Sequence, residues 1–293
     1  MSSRRELVTT VDDLKSDIAR RYKAIPSSGA SVDPAVVDED MAALNRDGYL
    51  IWRDLLSTQE CAQVREAVTP LLDHVGRNSF EGYHTQRVYS VLTKTRACDR
   101  LVDHPRVLAL LDRLLLPNYL LSQLEVINIA PGESRQLLHF DDGLYPVRRP
   151  RPPLGTATIW AIDAFTDTNG ATVIIPGSHQ WGAHKPTAAD REVPIVMPAG
   201  SCLFLVGTLW HGGGANRSGR DRLAVTSQYC QPWLRPQEAY LLSVPPDVAR
   251  AVSPDIQRML GYSIHPPFVG AVDGLHPLRL LEPTPTNRSD ADT

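Results

Sequence analysis

Between Leu120 and Tyr229 the chain is cut into short apolar stretches by glycine- and proline-bearing turns, and no other feature constrains its fold as much. Leu120–Ile129 reads as a strand stopped by Pro131-Gly132. Leu137–Phe140, Thr156–Phe165 and Ala171–Ile175 follow, the last two joined across Asn169-Gly170, a dipeptide that favours tight turns. Pro176-Gly177-Ser178 closes that strand, and Val193–Met197, Ser201–Leu205 and Arg222–Tyr229 complete the set. Short strands at this density predict an antiparallel sandwich or barrel.

Helical signals flank the strands. An amphipathic stretch around Val11–Tyr22 leads into a link at Pro26–Ala30 that reads as mobile. Ser57 with Glu60 three residues later forms a capping box, followed by Val64, Ala67, Val68, Leu71, Leu72 and Val75 at helical spacing. A second helix is expected from Asp103 as N-cap with Pro105 in its first turn, carrying Val107, Leu108, Leu111, Leu114 and Leu115. Both helices should pack on one side of a sheet. Asp247–Leu260 reads as helical with a break before Pro254. The chain therefore divides into an N-terminal segment over residues 1–30, one α+β domain over 31–282, and a frayed polar tail over 283–293.

Composition narrows the function. Thirty basic against 33 acidic residues leave no electrostatic footprint for nucleic acid. The longest uncharged apolar run, Val193–Trp210, is broken by Pro194, Pro198 and Gly200 and cannot span a membrane. The N-terminus lacks the apolar region of a signal peptide, and Cys61, Cys98, Cys202 and Cys230 form no C-x-x-C pair. A soluble protein of the reducing cytoplasm is expected.

The chemistry concentrates in a few residues. In His139-Phe140-Asp141 the first and third residues of a strand share a face, roughly 6.5–7 Å apart, so one ion can take both side chains. Two histidines and a carboxylate on one side of an ion form the facial triad of non-haem iron oxygenases, and His211 is the candidate third ligand. It ends the apolar stretch Cys202–Leu209 and opens a run of three glycines, which suits a close approach by ligand or chain. Arg222, eleven residues later, shares a strand face with Ala224, Thr226, Gln228 and Cys230. An inward arginine is costly unless it meets an anion; a metal-chelating dicarboxylic acid would supply one, with Thr226 adding a hydroxyl. The alternative is an internal salt bridge to an Asp or Glu.

With these residues in place the sequence resembles the phytanoyl-CoA dioxygenase family of Fe(II)/2-oxoglutarate oxygenases. Gln136 three residues before the first histidine, Asn169-Gly170-Ala171-Thr172 leading into Ile175-Pro176-Gly177-Ser178-His179, and Arg222-Leu223-Ala224-Val225-Thr226-Ser227-Gln228-Tyr229 extend the match from roughly Asp47 to Pro277. The resemblance implies a double-stranded β-helix (a jelly-roll, cupin-like core) with flanking helices. It implies Fe(II), 2-oxoglutarate and O2, decarboxylation to succinate and CO2, and attack on a C–H bond of a small organic substrate. His139, Asp141 and His211 would hold the iron, and Arg222 the distal carboxylate, assisted by Gln136 and Thr172. Strict alternation puts Gln136 on the face opposite His139, so its role requires irregular backbone at Gln136-Leu137-Leu138.

Other residues take plainer readings. His179 follows a turn and reads as packing, His74 and His104 as solvent-facing helix ends, and Trp160 as core. The segment Tyr145–Pro153, with Arg148, Arg149 and Arg151, reads as a proline-rich loop and a candidate mobile lid over the substrate. The rivals to a hydroxylase are a non-catalytic cupin-like binding protein, a radical halogenase, which Asp141 disfavours, and a zinc hydrolase, which gives Arg222 no purpose.

Overall fold

A computed structural model describes residues 10–21 and 26–282. Its strands are β1 (Tyr49–Trp52), β2 (His74–Val75), β3 (Thr85–Val88), β4 (Leu120–Ile129), β5 (Gly155–Ala161), β6 (Thr172–Ile174), β7 (Val193–Pro194), β8 (Cys202–Val206), β9 (His211–Gly213) and β10 (Arg222–Cys230). They form a seven-stranded sheet, ordered β1-β8-β5-β10-β4-β3-β2, and a three-stranded sheet, β7-β6-β9, with antiparallel pairing throughout. The two sheets face each other as a jelly roll, the architecture expected from the resemblance.

The helices are α1 (Val11–Arg21), α2 (Pro34–Asp47), α3 (Thr58–Val68), α4 (Asp99–Asp103), α5 (Pro105–Leu114), α6 (Tyr240–Ser243), α7 (Pro246–Ala251) and α8 (Pro254–Met259). Helices α2, α4 and α8 pack against β1, β10 and β4 of the large sheet, and strand alternation explains why. Trp160 Nε1 donates to the Leu101 carbonyl, Ser227 Oγ to the same carbonyl, and the Tyr229 hydroxyl to Val102. Those residues occupy one face of β5 and β10; Arg222, Ala224, Thr226 and Gln228 occupy the other and line the interior cavity. Trp160 is thus core, fully buried. Among the described residues no helix is long and apolar enough to cross a membrane.

Several expected boundaries move. The link at residues 26–30 is anchored: a 3-10 turn (Ser28–Ser31) buries Gly29, whose added Cβ would lie 2.4 Å from the Ala109 nitrogen of α5, and Ser27 Oγ donates to Asp112 at 2.5 Å. Helix α2 escaped the sequence pattern because its buried stripe of Val37, Asp40 and Leu44 contains an acid. Asp40 is buried because it accepts from Trp52 Nε1 at 3.0 Å and from Arg106 at 2.9 and 3.0 Å. Helix α3 has the capping box but stops at Val68, since Pro70 cannot continue it; Leu71 and Leu72 lie beyond its end, and Val75 is exposed on β2. The N-cap of α5 is His104, not Asp103, which ends α4. His104 is buried, contrary to the solvent-facing expectation; its Nδ1 accepts from Arg106 N and its ring packs on Trp160. The helix break before Pro254 is present between α7 and α8. Tyr22 and the tail from residue 283 lie outside the described residues.

Candidate functional site

His139 and Asp141 do not sit on a strand as expected. The backbone at residues 134–138 is irregular, and His139 makes a two-residue bridge to His211, each backbone nitrogen donating to the other's carbonyl at 2.8 Å. Asp141 opens a 3-10 turn, Asp141–Leu144. His211 likewise does not end the strand through Leu209. The chain leaves the large sheet after β8, turns through residues 207–210, and His211 begins β9 of the small sheet. Of the three glycines the closest approach is at Gly214, where an added Cβ would lie 2.5 Å from the Ala171 carbonyl oxygen.

The result is still a cluster. One ligand atom each from His139, Asp141 and His211 lies within 4.8 Å of the others. Asp141 Oδ1 is 3.7 Å from His139 Nε2 and 3.6 Å from His211 Nε2, separations a single ion at roughly 2.0–2.2 Å from each donor can bridge. Both imidazoles are oriented by their second nitrogen: His139 Nδ1 meets the Leu137 carbonyl and His211 Nδ1 the Leu209 carbonyl, each at 3.0 Å. That contact puts the proton on Nδ1 and leaves the Nε2 lone pair facing Asp141. Burial, reinforced by His211, pulls His139 down to about 4, so it is neutral and able to ligate at physiological pH. Asp141 Oδ2 is buried without a hydrogen-bond partner. Two imidazoles and an under-used carboxylate suit a divalent transition metal with coordination positions to spare.

Asp142, next in the 3-10 turn, points away from the cluster. It is buried in the wall, accepting from Arg151 Nη1 and from Leu154 N, each at 2.7 Å, and burial raises its pKa.

The cluster opens on a cavity of about 540 Å³ between the sheets, lined also by Arg222, Gln136, Thr172 and Thr226. Arg222 is 3% exposed. One Nη2 bond goes to the Gly170 carbonyl at 2.6 Å, the guanidinium lies 4.1 Å from the Phe165 ring centroid, and Nε is buried without a partner. Among the described residues no carboxylate forms a salt bridge with it; Asp163, whose charge reaches it, is taken by Arg65 at 2.5 Å and by Leu223 N. Burial lowers its pKa to about 9, so at neutral pH it is a buried cation short of an anion. The internal salt bridge is therefore not what Arg222 is for.

The other expectations divide. Gln136 faces the cavity because its backbone is irregular, and both amide ends are engaged: Oε1 accepts from Gly213 N at 3.0 Å and Nε2 donates to the Phe80 carbonyl at 2.9 Å. It ties β9 to the loop that sets the Phe80 ring 4.8 Å from that of His139. Thr172 and Thr226 are buried at the cavity wall. His179 packs under Gly48 with Nε2 3.2 Å from the Asn45 carbonyl, and His74 is exposed. Residues 145–153 do not line the cavity. Arg149 donates to the Ser178 and Thr208 carbonyls at 2.7 Å and stacks on Phe140, and Arg151 is held by Asp142, so two of the three lid arginines are spent on structure. Glu125, Gln123 and Glu133 were missed as cavity residues. The signal for the first two was present: they alternate with Leu124 and Val126 in the middle of the strand.

A jelly roll that closes two imidazoles and a carboxylate at the mouth of an interior cavity, with a buried arginine on the facing wall, is built as a non-haem metal oxygenase. The chain belongs to the phytanoyl-CoA dioxygenase (PhyH) family, whose model matches residues 44–224. Among curated proteins it is 34% identical over 248 residues to Dioxygenase ALT11 of Alternaria alternata, covering 77% of this chain and 82% of that one. It is 29% identical to Dioxygenase FUM3 of Gibberella moniliformis, again over 77% and 82% of the two chains. The fold matches the crystal structure of the epimerase SnoN in complex with Fe3+, alpha ketoglutarate and nogalamycin RO, with TM-score 0.59, 22% identity and coverage of 72% and 90%. It also matches HygX of Streptomyces hygroscopicus with nickel and 2-oxoglutarate bound, with TM-score 0.58, 16% identity and coverage of 68% and 88%. The protein is an Fe(II)/2-oxoglutarate-dependent dioxygenase using O2, and the donor set described above fits that metal.

Proposed function

We propose that this enzyme hydroxylates an unactivated C–H bond of a small organic substrate. His139, Asp141 and His211 hold the iron, and Arg222 holds the distal carboxylate of 2-oxoglutarate. The observation that carries the reading is the meeting, in one cavity, of a three-residue metal cluster with a buried guanidinium lacking any carboxylate partner.

When bound, the metal with O2 and 2-oxoglutarate supplies oxidising power, releasing succinate and CO2. The chain's own groups do the positioning. The Leu137 and Leu209 carbonyls hold the imidazoles in the tautomer that ligates. Arg222 offers a planar fork that fixes the cosubstrate's orientation, which a flexible ammonium would not. Thr172 and Thr226 border the cosubstrate with hydroxyls, and Gln136 keeps β9 and the Phe80 loop in register around it. Phe80, Phe140 and Trp210 close the metal's surroundings to bulk water with apolar surface. The four cysteines are buried and unpaired, in keeping with a cytoplasmic location.

The test is anaerobic addition of Fe(II) and 2-oxoglutarate to metal-free protein. A visible metal-to-cosubstrate charge-transfer band is expected; its absence, with both components present in excess, would sink the reading and favour a cupin-like binder. Turnover under isotopically labelled O2 then separates hydroxylation, which places labelled oxygen in the product, from epimerisation or ring closure, which do not.

A further inference from the structure

The cavity extends well past the cosubstrate. In the pairing of β4 with β10, Thr226 faces Glu125 and Gln228 faces Gln123, and all four line the cavity. From Arg222 to Gln228 the strand runs roughly 20 Å, much longer than a five-carbon diacid. The end of the wall remote from Arg222 is therefore free for a second molecule.

The polarity of that end is of one kind. The charges nearest it are already matched. Arg87 Nη1 meets Glu125 at 2.6 Å, and Arg87 Nε donates to the Glu81 carbonyl. The Glu81 carboxylate is held by Arg77 at 2.6 Å. Glu133 lies toward the Arg222 end, beside Thr85, which pairs with Ile129 opposite Arg222, and accepts from His84 N, from the Thr85 hydroxyl and from Ser134 N. Asp141 and Arg222 are committed to metal and cosubstrate by the reading above, on which this step rests. No cation is left over for an anionic substrate, and an anion placed there would face Glu125 with its own charge uncompensated.

What remains unspent is neutral. The Gln123 side chain has no hydrogen-bond partner among the described residues. Gln228 bonds only to Gln237, which stands at the exposed edge of the cavity. Each carboxamide offers two donors and a carbonyl acceptor. The cavity's apolar surface includes Ile127, Ile159, Phe80 and Leu144, beside the mutually paired Glu125 and Arg87.

We infer that the substrate is an uncharged small molecule bearing an amide, lactam or similar donor–acceptor pair. Gln123 and Gln228 bind that pair at the end of the cavity remote from Arg222, and the apolar body of the molecule lies between them and the metal. Carboxylates, phosphates and coenzyme A esters do not satisfy the site. A neutral amide can pair with both, whereas an apolar molecule of the same shape would cover Gln123 and the amide nitrogen of Gln228 without a partner.

The experiment uses the full chain loaded with Zn(II) in place of iron and saturated with 2-oxoglutarate, so that Arg222 is occupied. Binding of ε-caprolactam, hexanoate and hexylammonium is followed by ligand-observed NMR. Caprolactam is expected to bind at least tenfold more tightly than either charged probe. The double variant Gln123→Leu, Gln228→Leu should lose about tenfold in caprolactam affinity, the effect of one or two hydrogen bonds. Metal and 2-oxoglutarate titrations without probe show whether the cosubstrate assignment has failed separately. Should the double variant not fold, Gln123→Glu keeps the shape and should shift preference from caprolactam to hexylammonium. Equal binding of hexanoate and caprolactam by the wild type, or probe affinities that ignore the glutamine changes, would overturn the inference.

Discussion

Asp141 and Asp142 are adjacent carboxylates with opposite fates, and the contrast tests the site residue by residue. Asp141→Ala removes the only carboxylate of the cluster and should abolish substrate oxidation and markedly weaken metal binding, measured by titration of metal-free protein. Asp142→Ala should leave metal affinity near wild type but strand Arg151, whose side chain is 9% exposed, at a cost of about 3–5 kcal/mol in denaturant unfolding. Reversed phenotypes would exchange the roles. Arg222→Leu removes the cation and should weaken 2-oxoglutarate binding by roughly two to four powers of ten while metal affinity stays close to wild type. Equal 2-oxoglutarate titrations of the two proteins would make Arg222 structural. At this scale the sequence was readable because the chemistry demands particular atoms: few residue types serve as metal ligands, and an arginine on an inward strand face must have an anion to meet. Gln136 was readable only in part, since its position depends on the irregular backbone before His139, which alternation does not encode.

At the scale of elements, β4, β5 and β10 followed from alternation and turn residues, because each buries one face against helices and the other against the cavity. The short pieces around the metal did not. Residues 137–140 and β9 are positioned by pairing with each other across the sheets, a long-range contact that local pattern cannot specify. Helix α2 was hidden by a buried acid whose partners, Trp52 and Arg106, lie 12 and 66 residues away. The cap of α5 carries its own prediction. Burial lowers His104 to about 4 from its ordinary 6.5, with Arg100 contributing, so between those values the unfolded chain binds the extra proton. Stability should therefore fall as pH drops from about 6.5 to about 4, by on the order of 2–3 kcal/mol from this group. His104→Asn keeps an N-cap acceptor and removes the titration. Urea unfolding across that range should show a shallower pH slope in the variant, even if its stability at neutral pH is lower through lost packing on Trp160. Parallel slopes would mean that His104 does not couple folding to protonation.

For the whole molecule, metal and cosubstrate held as proposed would be part of the fold. The metal cluster joins the turn after His139 to β9 of the small sheet, while Arg222 begins β10 of the large one, so a diacid held at both would tie the two sheets together. Regular pairing at this edge is short, including the His139–His211 bridge, the bonds between Gln136 and Gly213, and those of Asn216 with Gly132 and Glu133. A ligand that binds only the folded state stabilises it by about 2.7 kcal/mol at a hundred times its Kd. For a chain of this size each kcal/mol raises Tm by roughly 2–4 °C. Anaerobic thermal unfolding should therefore rise in two steps, first with metal and then by roughly 5–10 °C more with 2-oxoglutarate at a hundred times its Kd. The second step depends on both ends of the diacid: it should vanish without metal and in Arg222→Leu, while the first step survives in that variant. A 2-oxoglutarate increment of the same size in Arg222→Leu would place the cosubstrate elsewhere in the cavity.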